Sequence, residues 1–390
     1  MNKKICALLL TLILTVSSIM TSFAQEVSNI SDIPKLEGSS AILMETKYGQ
    51  IVYEKDDHKR RHPASVTKVM TVAVAFDIIK EKGIPLDDMV KVSKKAAAVK
   101  GASIKLKEGD LISIDSLLDA IIMNSANNAC VVLAEYLGSS ESLFIEKMNK
   151  KAESLGLKDT NFVSVNGLTW NKAHYSSAYD ISIIASELIK EGDIFRYTLN
   201  PTKDINIYRE NKKEPVRTIK LESTNKLLGK YQGIDGMKTG WIGPESGYCF
   251  VGTANREDTR LLSITLGAQK EHGNFRDTVK LLDYGFNNFT YIPFIEEDET
   301  VLKTKVEGAL KSLKVTVGEE LTIFGKYEKE DYKTKVNTDK LELPIKKGDK
   351  VGTLEIYAKD QLIMKKDVFA QNNVKKSVII SIIEKFKNLI

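Results

Sequence analysis

Ser65 and Lys68 stand three residues apart, a spacing that on a helix puts a hydroxyl and an amine on one face within hydrogen-bond reach. Such a pair can do nucleophilic chemistry without histidine. The lysine takes the serine proton if its amine is partly neutral, and burial beside another cation lowers an amine's pKa in that direction. A helix N-terminus at Ser65 adds partial positive charge and N–H groups suited to an oxyanion. Spacing alone carries little weight, because Ser223 and Lys226 repeat it, and Ser125-Ala126-Asn127 has company in Ser164-Val165-Asn166 and Ser223-Thr224-Asn225. Context separates them: only Ser65 heads a long apolar run, and Lys238-Thr239-Gly240 occurs once.

That run, VTKVMTVAVAFDIIK from Val66 to Lys80, has so few polar positions that it predicts a helix buried in the middle of a domain. Pro63 suits its start, and Gly83 with Pro85 ends it. Gly247 to Thr253 and Arg260 to Gly267 flank the polar stretch Ala254 to Thr259 and predict a hairpin of an antiparallel sheet. From Leu36 to Phe289 the pattern is mixed, helices set around that sheet. From Ile292 onward it turns strand-rich, with strands expected at Leu313 to Val317, Glu320 to Phe324, Lys340 to Pro344 and Lys350 to Tyr357, a small β-sandwich-like unit.

The two ends read differently from the middle. Lys3 and Lys4, the apolar run Ile5 to Val16 and Ser22-Phe23-Ala24 form a secretory signal, removed after Ala24. Val374 to Ile390 places Ile379, Ile382, Ile383, Phe386 and Ile390 at helical spacing with Lys375, Lys376, Lys385 and Lys387 mostly off that stripe. This predicts a basic amphipathic helix lying on an anionic membrane surface, the alternative being a terminal helix packed on its own domain. The expected organisation is a signal peptide over 1–24, a catalytic domain over 25–290, a β-rich domain over 291–371 and the surface helix over 372–390.

A formal charge of +5 on 28% charged residues gives no reason to expect nucleic acid. Cys130 and Cys249 lie far apart, as buried free thiols or a single disulfide. His58 and His62 are four apart, but Lys59, Arg60 and Arg61 between them would repel a cation, and His174 and His272 are isolated. No metal or other cofactor is expected, and His62 and His174 read as structural hydrogen-bonders.

The order of the motifs is specific. Ser-x-x-Lys opening a buried helix, then Ser-x-Asn, then Lys-Thr-Gly before a hairpin resembles the triple of penicillin-binding proteins and class A β-lactamases. The surrounding text is similar to the low-molecular-weight serine D-alanyl-D-alanine carboxypeptidases: ASVTKVMT around Ser65, IIMNSANNACVVLAE around Ser125, GLTWNKAHYSSAYD at 167–180, STNKLLGKYQGIDGMKTGW ending at Trp241 and SGYCFVGTANREDTRLLSITLGA at 246–268. The resemblance implies an α/β (α+β) transpeptidase-like domain followed by the β unit, acting outside the cytoplasm on peptidoglycan stem peptides ending in D-Ala-D-Ala, with β-lactams as covalent inhibitors. It implies that Ser65 attacks the penultimate carbonyl, Lys68 takes its proton and Ser125 relays a proton to the departing D-alanine. Asn127 would hold the substrate amide, Lys238 raise the positive potential, Thr239 bind the terminal carboxylate and Gly240 let the substrate backbone approach. The Ser65 and Trp241 N–H groups would form the oxyanion hole.

Asn128 stands where aspartate is commoner in that family, and Trp241-Ile242 where histidine or tyrosine and then threonine are. Both adjoin expected substrate contacts. A β-lactamase on the same fold would need a further base, and no Glu-x-x-Leu-Asn lies between Asn127 and Lys238; Arg196 to Asn200 has arginine at the glutamate position. A silent wall-binding protein would be expected to lack some of the motif side chains, and all are present.

Overall fold

The computed structural model describes residues 33–377. Both the leader over 1–24 and the end of the tail over 378–390 lie outside the described residues. A five-stranded antiparallel sheet organises the first part: β1 (Ser40–Glu45), β2 (Gln50–Lys55), β7 (Ile234–Gly240), β8 (Tyr248–Arg256) and β9 (Thr259–Ala268), in the order β2-β1-β9-β8-β7. A second sheet joins β3 (Met89–Lys91), β4 (Asp110–Ser113), β5 (Thr202–Arg209) and β6 (Arg217–Glu222). The longer helices are α1 (Lys68–Lys82), α2 (Ile114–Ile122), α3 (Asn127–Gly138), α4 (Glu141–Ser154), α5 (Ala178–Glu191) and α6 (Gly273–Asn288).

Period-two alternation decides what each sheet face buries. Ala41 and Leu43 of β1 pack with Leu281 and Leu282 of α6, whereas Ile42 between them joins the core built by α1 to α5. Helix α1 is buried along Val69, Met70, Val72, Ala73, Ala75 and Ile78, as its apolar run predicts, and Gly83 closes it in the left-handed region at φ 61°. Its start differs from expectation. Ala64–Thr67 form a 3₁₀ turn and the α-helix proper begins at Lys68, so Ser65 lies on the turn leading into the helix. The hairpin is also longer than predicted, because β8 and β9 run through the polar residues to leave only Glu257-Asp258 at the tip.

The accessory unit begins at β10 (Thr290–Ile295), which pairs with β13 (Leu321–Gly325). Facing this pair is a sheet of β11 (Leu302–Thr304), β12 (Leu313–Thr316), β14 (Tyr332–Thr338), β15 (Lys350–Ala358) and β16 (Gln361–Ala370), in the order β11-β12-β16-β15-β14. Phe294, Leu321 and Ile323 from the pair meet Leu313, Val315, Leu354 and Ile356 from the sheet in one core, giving the sandwich-like unit expected. Lys340 to Pro344 is not a strand; the edge strand is Tyr332–Thr338 instead. Its outward lysines hide the pattern, as charges on edge strands commonly do.

The tail does not begin as a helix. Buried Val374 bridges Ile345, and Lys376 bridges Ala309. The apolar side chain of Val374 joins the accessory core, so the unit takes in residues through Ser377.

The two units meet without a loose linker. Buried Glu45 accepts from the N–H of Lys47, from that of Tyr48 at 2.9 Å and from the Tyr291 hydroxyl at 2.9 Å. The Gln50 side-chain carbonyl accepts from the Phe324 N–H, and the Tyr291 and Phe324 rings sit 5.1 Å apart. Glu45→Ala would orphan donors in this seam, at about 2 kcal/mol. The expected outcome is a clear drop in Tm by calorimetry; an unchanged Tm would show that the seam adds nothing to stability.

Candidate active site

Three chain segments converge on the Lys68 amine. Its Nζ lies 2.9 Å from Ser65 Oγ, 2.8 Å from Asn127 Oδ1 and 2.8 Å from the Asn166 carbonyl oxygen. Two of these neighbours can only accept. A neutral amine has two N–H groups to give and one lone pair, so with both N–H groups engaged by Asn127 and Asn166 the lone pair is left facing the Ser65 hydroxyl. Burial also makes neutrality accessible, since Lys68 is fully enclosed and its pKa falls to about 8.

Lys238 is buried as well and its pKa is pushed well below the ordinary lysine value, first by burial and then by the charge on Lys68. Burial and the neighbouring Lys68 charge thus act on Lys238 in the same direction. Its Nζ donates to the Thr239 carbonyl at 3.1 Å.

The turn that presents Ser65 is clamped from behind. His62 Nδ1 accepts from the Ala64 N–H at 3.0 Å, which makes Nε2 the donor to the Thr169 carbonyl at 2.9 Å. His174 Nδ1 accepts from Val163 N–H at 3.1 Å, its Nε2 lies 2.8 Å from Thr67 Oγ1, and Thr67 donates to the Ala64 carbonyl at 2.7 Å. Burial drives the His174 pKa down to about 3 and lowers that of His62 too. Neither ring faces Ser65 as a base; both are structural, as their sequence settings suggest. They hold Ala64 at φ 49°, a left-handed conformation that a residue with a Cβ rarely adopts.

Ser65, Ser125, Thr239, Gly240 and Trp241 line one cleft of about 270 Å³ together with Thr224, Tyr248, Glu271 and His272. A larger cavity of about 390 Å³, between Phe76 and Arg196, contains none of the motif residues. Ser125 sits at φ 60° between α2 and α3, a backbone strain of about 1–3 kcal/mol for a residue with a side chain. Thr239 Oγ1 donates to Thr224 Oγ1 at 2.7 Å. Trp241 is 53% exposed and stacks on Tyr248 with ring centroids 5.8 Å apart.

Two expected contacts are made differently. The Asn127 side chain turns to Lys68 and donates from Nδ2 to the Lys100 carbonyl at 3.1 Å, away from the cleft lining. At Gly240 an added Cβ would come within 3.0 Å of the Pro63 carbonyl oxygen and of the Val66 nitrogen. The glycine is required there because the Ser65 turn packs against β7. Sequence spacing also missed two members, Asn166 and Thr224, since both belong to the Ser-x-Asn tripeptides that look like background. The signal that could have found Asn166 is the adjacent Gly167, whose φ of 77° and close approach to the Ala64 carbonyl bring residues 164–168 under the turn; nothing local marks Thr224.

Asn128 is buried away from the cleft, accepting from the Ile104 N–H at 3.2 Å and donating to the Ile104 carbonyl at 2.7 Å. An ionised aspartate could accept there but not donate. Cys130 and Cys249 are both free and buried, and burial raises both thiols to about 11.

A strand-edge Lys-Thr-Gly, a serine on a buried helix turn and an amine poised on its hydroxyl define a serine acyl-transfer site. Residues 26–270 match the D-alanyl-D-alanine carboxypeptidase family Peptidase S11, and residues 289–376 match the C-terminal domain of penicillin-binding protein 5. The chain belongs to the Peptidase S11 family of serine-type D-alanyl-D-alanine carboxypeptidases, which are hydrolases. It is 32% identical to the D-alanyl-D-alanine carboxypeptidase DacF of Bacillus subtilis over 98% of this chain and 97% of that one. Penicillin-binding protein 5 of Haemophilus influenzae superposes with a TM-score of 0.73 at 28% identity, covering 89% of this chain and all of that one. Penicillin-binding protein D2 of Listeria monocytogenes, solved in its ampicillin-bound form, superposes at 0.57 with 31% identity over 65% of this chain and all of that one.

With Lys68 as the base, the neutral amine is the active form, so kcat/KM for acylation should climb with pH through about 8. Stopped-flow acylation by a chromogenic β-lactam between pH 6 and 9.5 measures this, and a flat profile would remove Lys68 from the role.

Proposed function

We propose that this protein removes the terminal D-alanine from peptidoglycan stem peptides through an acyl-enzyme on Ser65, and that β-lactams acylate the same hydroxyl. The observation that carries this reading is the Lys68 amine held by two pure acceptors with Ser65 Oγ as its third neighbour. Ser65 attacks the penultimate carbonyl and passes its proton to Lys68. Ser125, on the cleft wall, relays a proton to the departing amine, and the N–H groups of Ser65 and Trp241 receive the oxyanion. Thr239, steadied by Thr224, binds the terminal carboxylate. Asn127 positions Lys68, and Lys238 holds the strand end beside the carboxylate site. Water then releases the shortened peptide.

The leader over 1–24 supports export, and the wall is the setting the substrate requires. The basic amphipathic stripe read over Val374 to Ile390, whose first residues run extended through Ser377, supports attachment to the outer face of the cytoplasmic membrane. No helix among the described residues is long and apolar enough to cross one. In this reading the catalytic domain spans 25–290.

Ser65→Ala should abolish both covalent labelling by fluorescent penicillin and release of D-alanine from a peptide ending in D-Ala-D-Ala. Labelling without release in the parent would point to another peptide specificity, and labelling that survives in the variant would place the nucleophile elsewhere. Because no carboxylate among the described residues hydrogen-bonds Ser65 or Lys68 as a further base, penicillin should leave slowly; fast multiple-turnover hydrolysis would favour the β-lactamase reading. Removing 378–390 should move the protein from membranes to the soluble fraction with its Tm intact, whereas a cut before Val374 should also lower Tm by stripping a buried strand partner.

A further inference from the structure

The accessory unit carries a feature that the catalytic reading does not use. Leu310 is 78% exposed, the highest value among the large hydrophobic side chains of the described residues. It sits on the loop between β11 and β12, and that loop is tied to the last described residues of the chain. The Ser377 N–H donates to the Gly308 carbonyl at 2.7 Å, and Ala309 bridges Lys376. On the other side of the same extended segment, Val374 bridges Ile345, and the Lys347 N–H donates to the Asn373 side chain at 2.8 Å.

Leu310 therefore projects beside the point where the chain leaves the unit, and cations surround that point. Lys311, Lys346, Lys347, Lys375 and Lys376 are all exposed there. Two exposed carboxylates offset part of this charge: Asp349, which accepts from the Lys346 N–H at 2.7 Å, and Glu307 on the loop, so five lysines face two acids. An apolar tip ringed by lysines is the pattern of a surface that meets anionic headgroups and places one side chain below them.

We propose that this end of the accessory unit is a second membrane contact, in which Leu310 enters the interface of an anionic bilayer and the surrounding lysines lie against its headgroups. The proposal rests on the reading of 378–390 as a membrane-surface segment, since that segment starts next to Leu310 and would bring the bilayer to it. Full burial of one leucine is worth enough to change affinity about tenfold or more, and each lysine near the surface adds to attraction for acidic lipid.

The test uses the chain from Gln25 to Ile390 and vesicles of phosphatidylcholine with and without one third phosphatidylglycerol. Leu310→Asp should weaken binding to the acidic vesicles about tenfold at unchanged Tm, since the side chain packs on little. An environment-sensitive dye on Leu310→Cys should shift to the blue on binding. Unchanged binding and an unmoved dye spectrum, with the 378–390 deletion abolishing binding, would overturn the proposal and keep the tail. If the deletion binds as the parent does while Leu310→Asp is weakened, the tail reading falls and the Leu310 contact stands. A dye that responds to purified cell-wall polymer and not to vesicles would assign the surface to a different partner and overturn the membrane contact.

Discussion

The chemistry of this molecule depends on enclosing a lysine amine where water cannot reach it and giving it two hydrogen-bond acceptors that consume its N–H groups. Everything else in the catalytic domain serves that arrangement. Asn127 must come from the start of α3, Asn166 from the loop over 164–168, and Ser65 from the turn ahead of α1, and all three must arrive within about 3 Å of one nitrogen. Desolvation alone would penalise a charged lysine and leave its polar partners unmet. The three neighbours make burial tolerable in either protonation state, which suits the role proposed for it, a donor at rest and a base in turnover.

The surrounding fold shows how such convergence is achieved. An apolar helix is fixed through the middle of the domain, so the residues at its mouth inherit its rigidity. Ahead of it, Ala64 is held in a strained conformation by two neutral imidazoles, one on its N–H and the other acting through Thr67 on its carbonyl. Strain sits at Ala64, beside the nucleophile turn, and at Ser125 on the cleft lining, and the imidazole and Thr67 hydrogen bonds behind Ala64 hold the first of these.

Much of this was legible in the residues. The apolar run after Ser65, the glycine that ends it, the single Lys-Thr-Gly and the hairpin behind it survive in the structure because each reflects a local preference that tertiary contacts reinforce. Less legible were the groups whose role is purely spatial. Asn166 contributes a backbone carbonyl, which no side-chain pattern records, and Thr224 acts from the loop ahead of β7 through a partner fifteen residues away. Asn127 carries the right amide for a substrate, yet the same amide fits Lys68, and composition cannot choose between them. The edge strand Tyr332–Thr338 escaped because its solvent face is written in lysines, and Val374 because a stripe that reads as helix from sequence begins with a residue that a β core can accept.

The seam between the two units has a consequence for reach. Glu45 and Gln50 lie on or beside the first hairpin of the catalytic sheet, and their partners Tyr291 and Phe324 lie on the pair of strands that opens the accessory unit. Buried hydrogen bonds and packed rings at this joint oppose bending between the cleft and the far unit. The separation between Ser65 and the point where the chain departs at Ser377 depends on this joint. Whatever holds the protein at that point therefore bears on where the Ser65 hydroxyl sits, and the joint matters for reach as well as for stability.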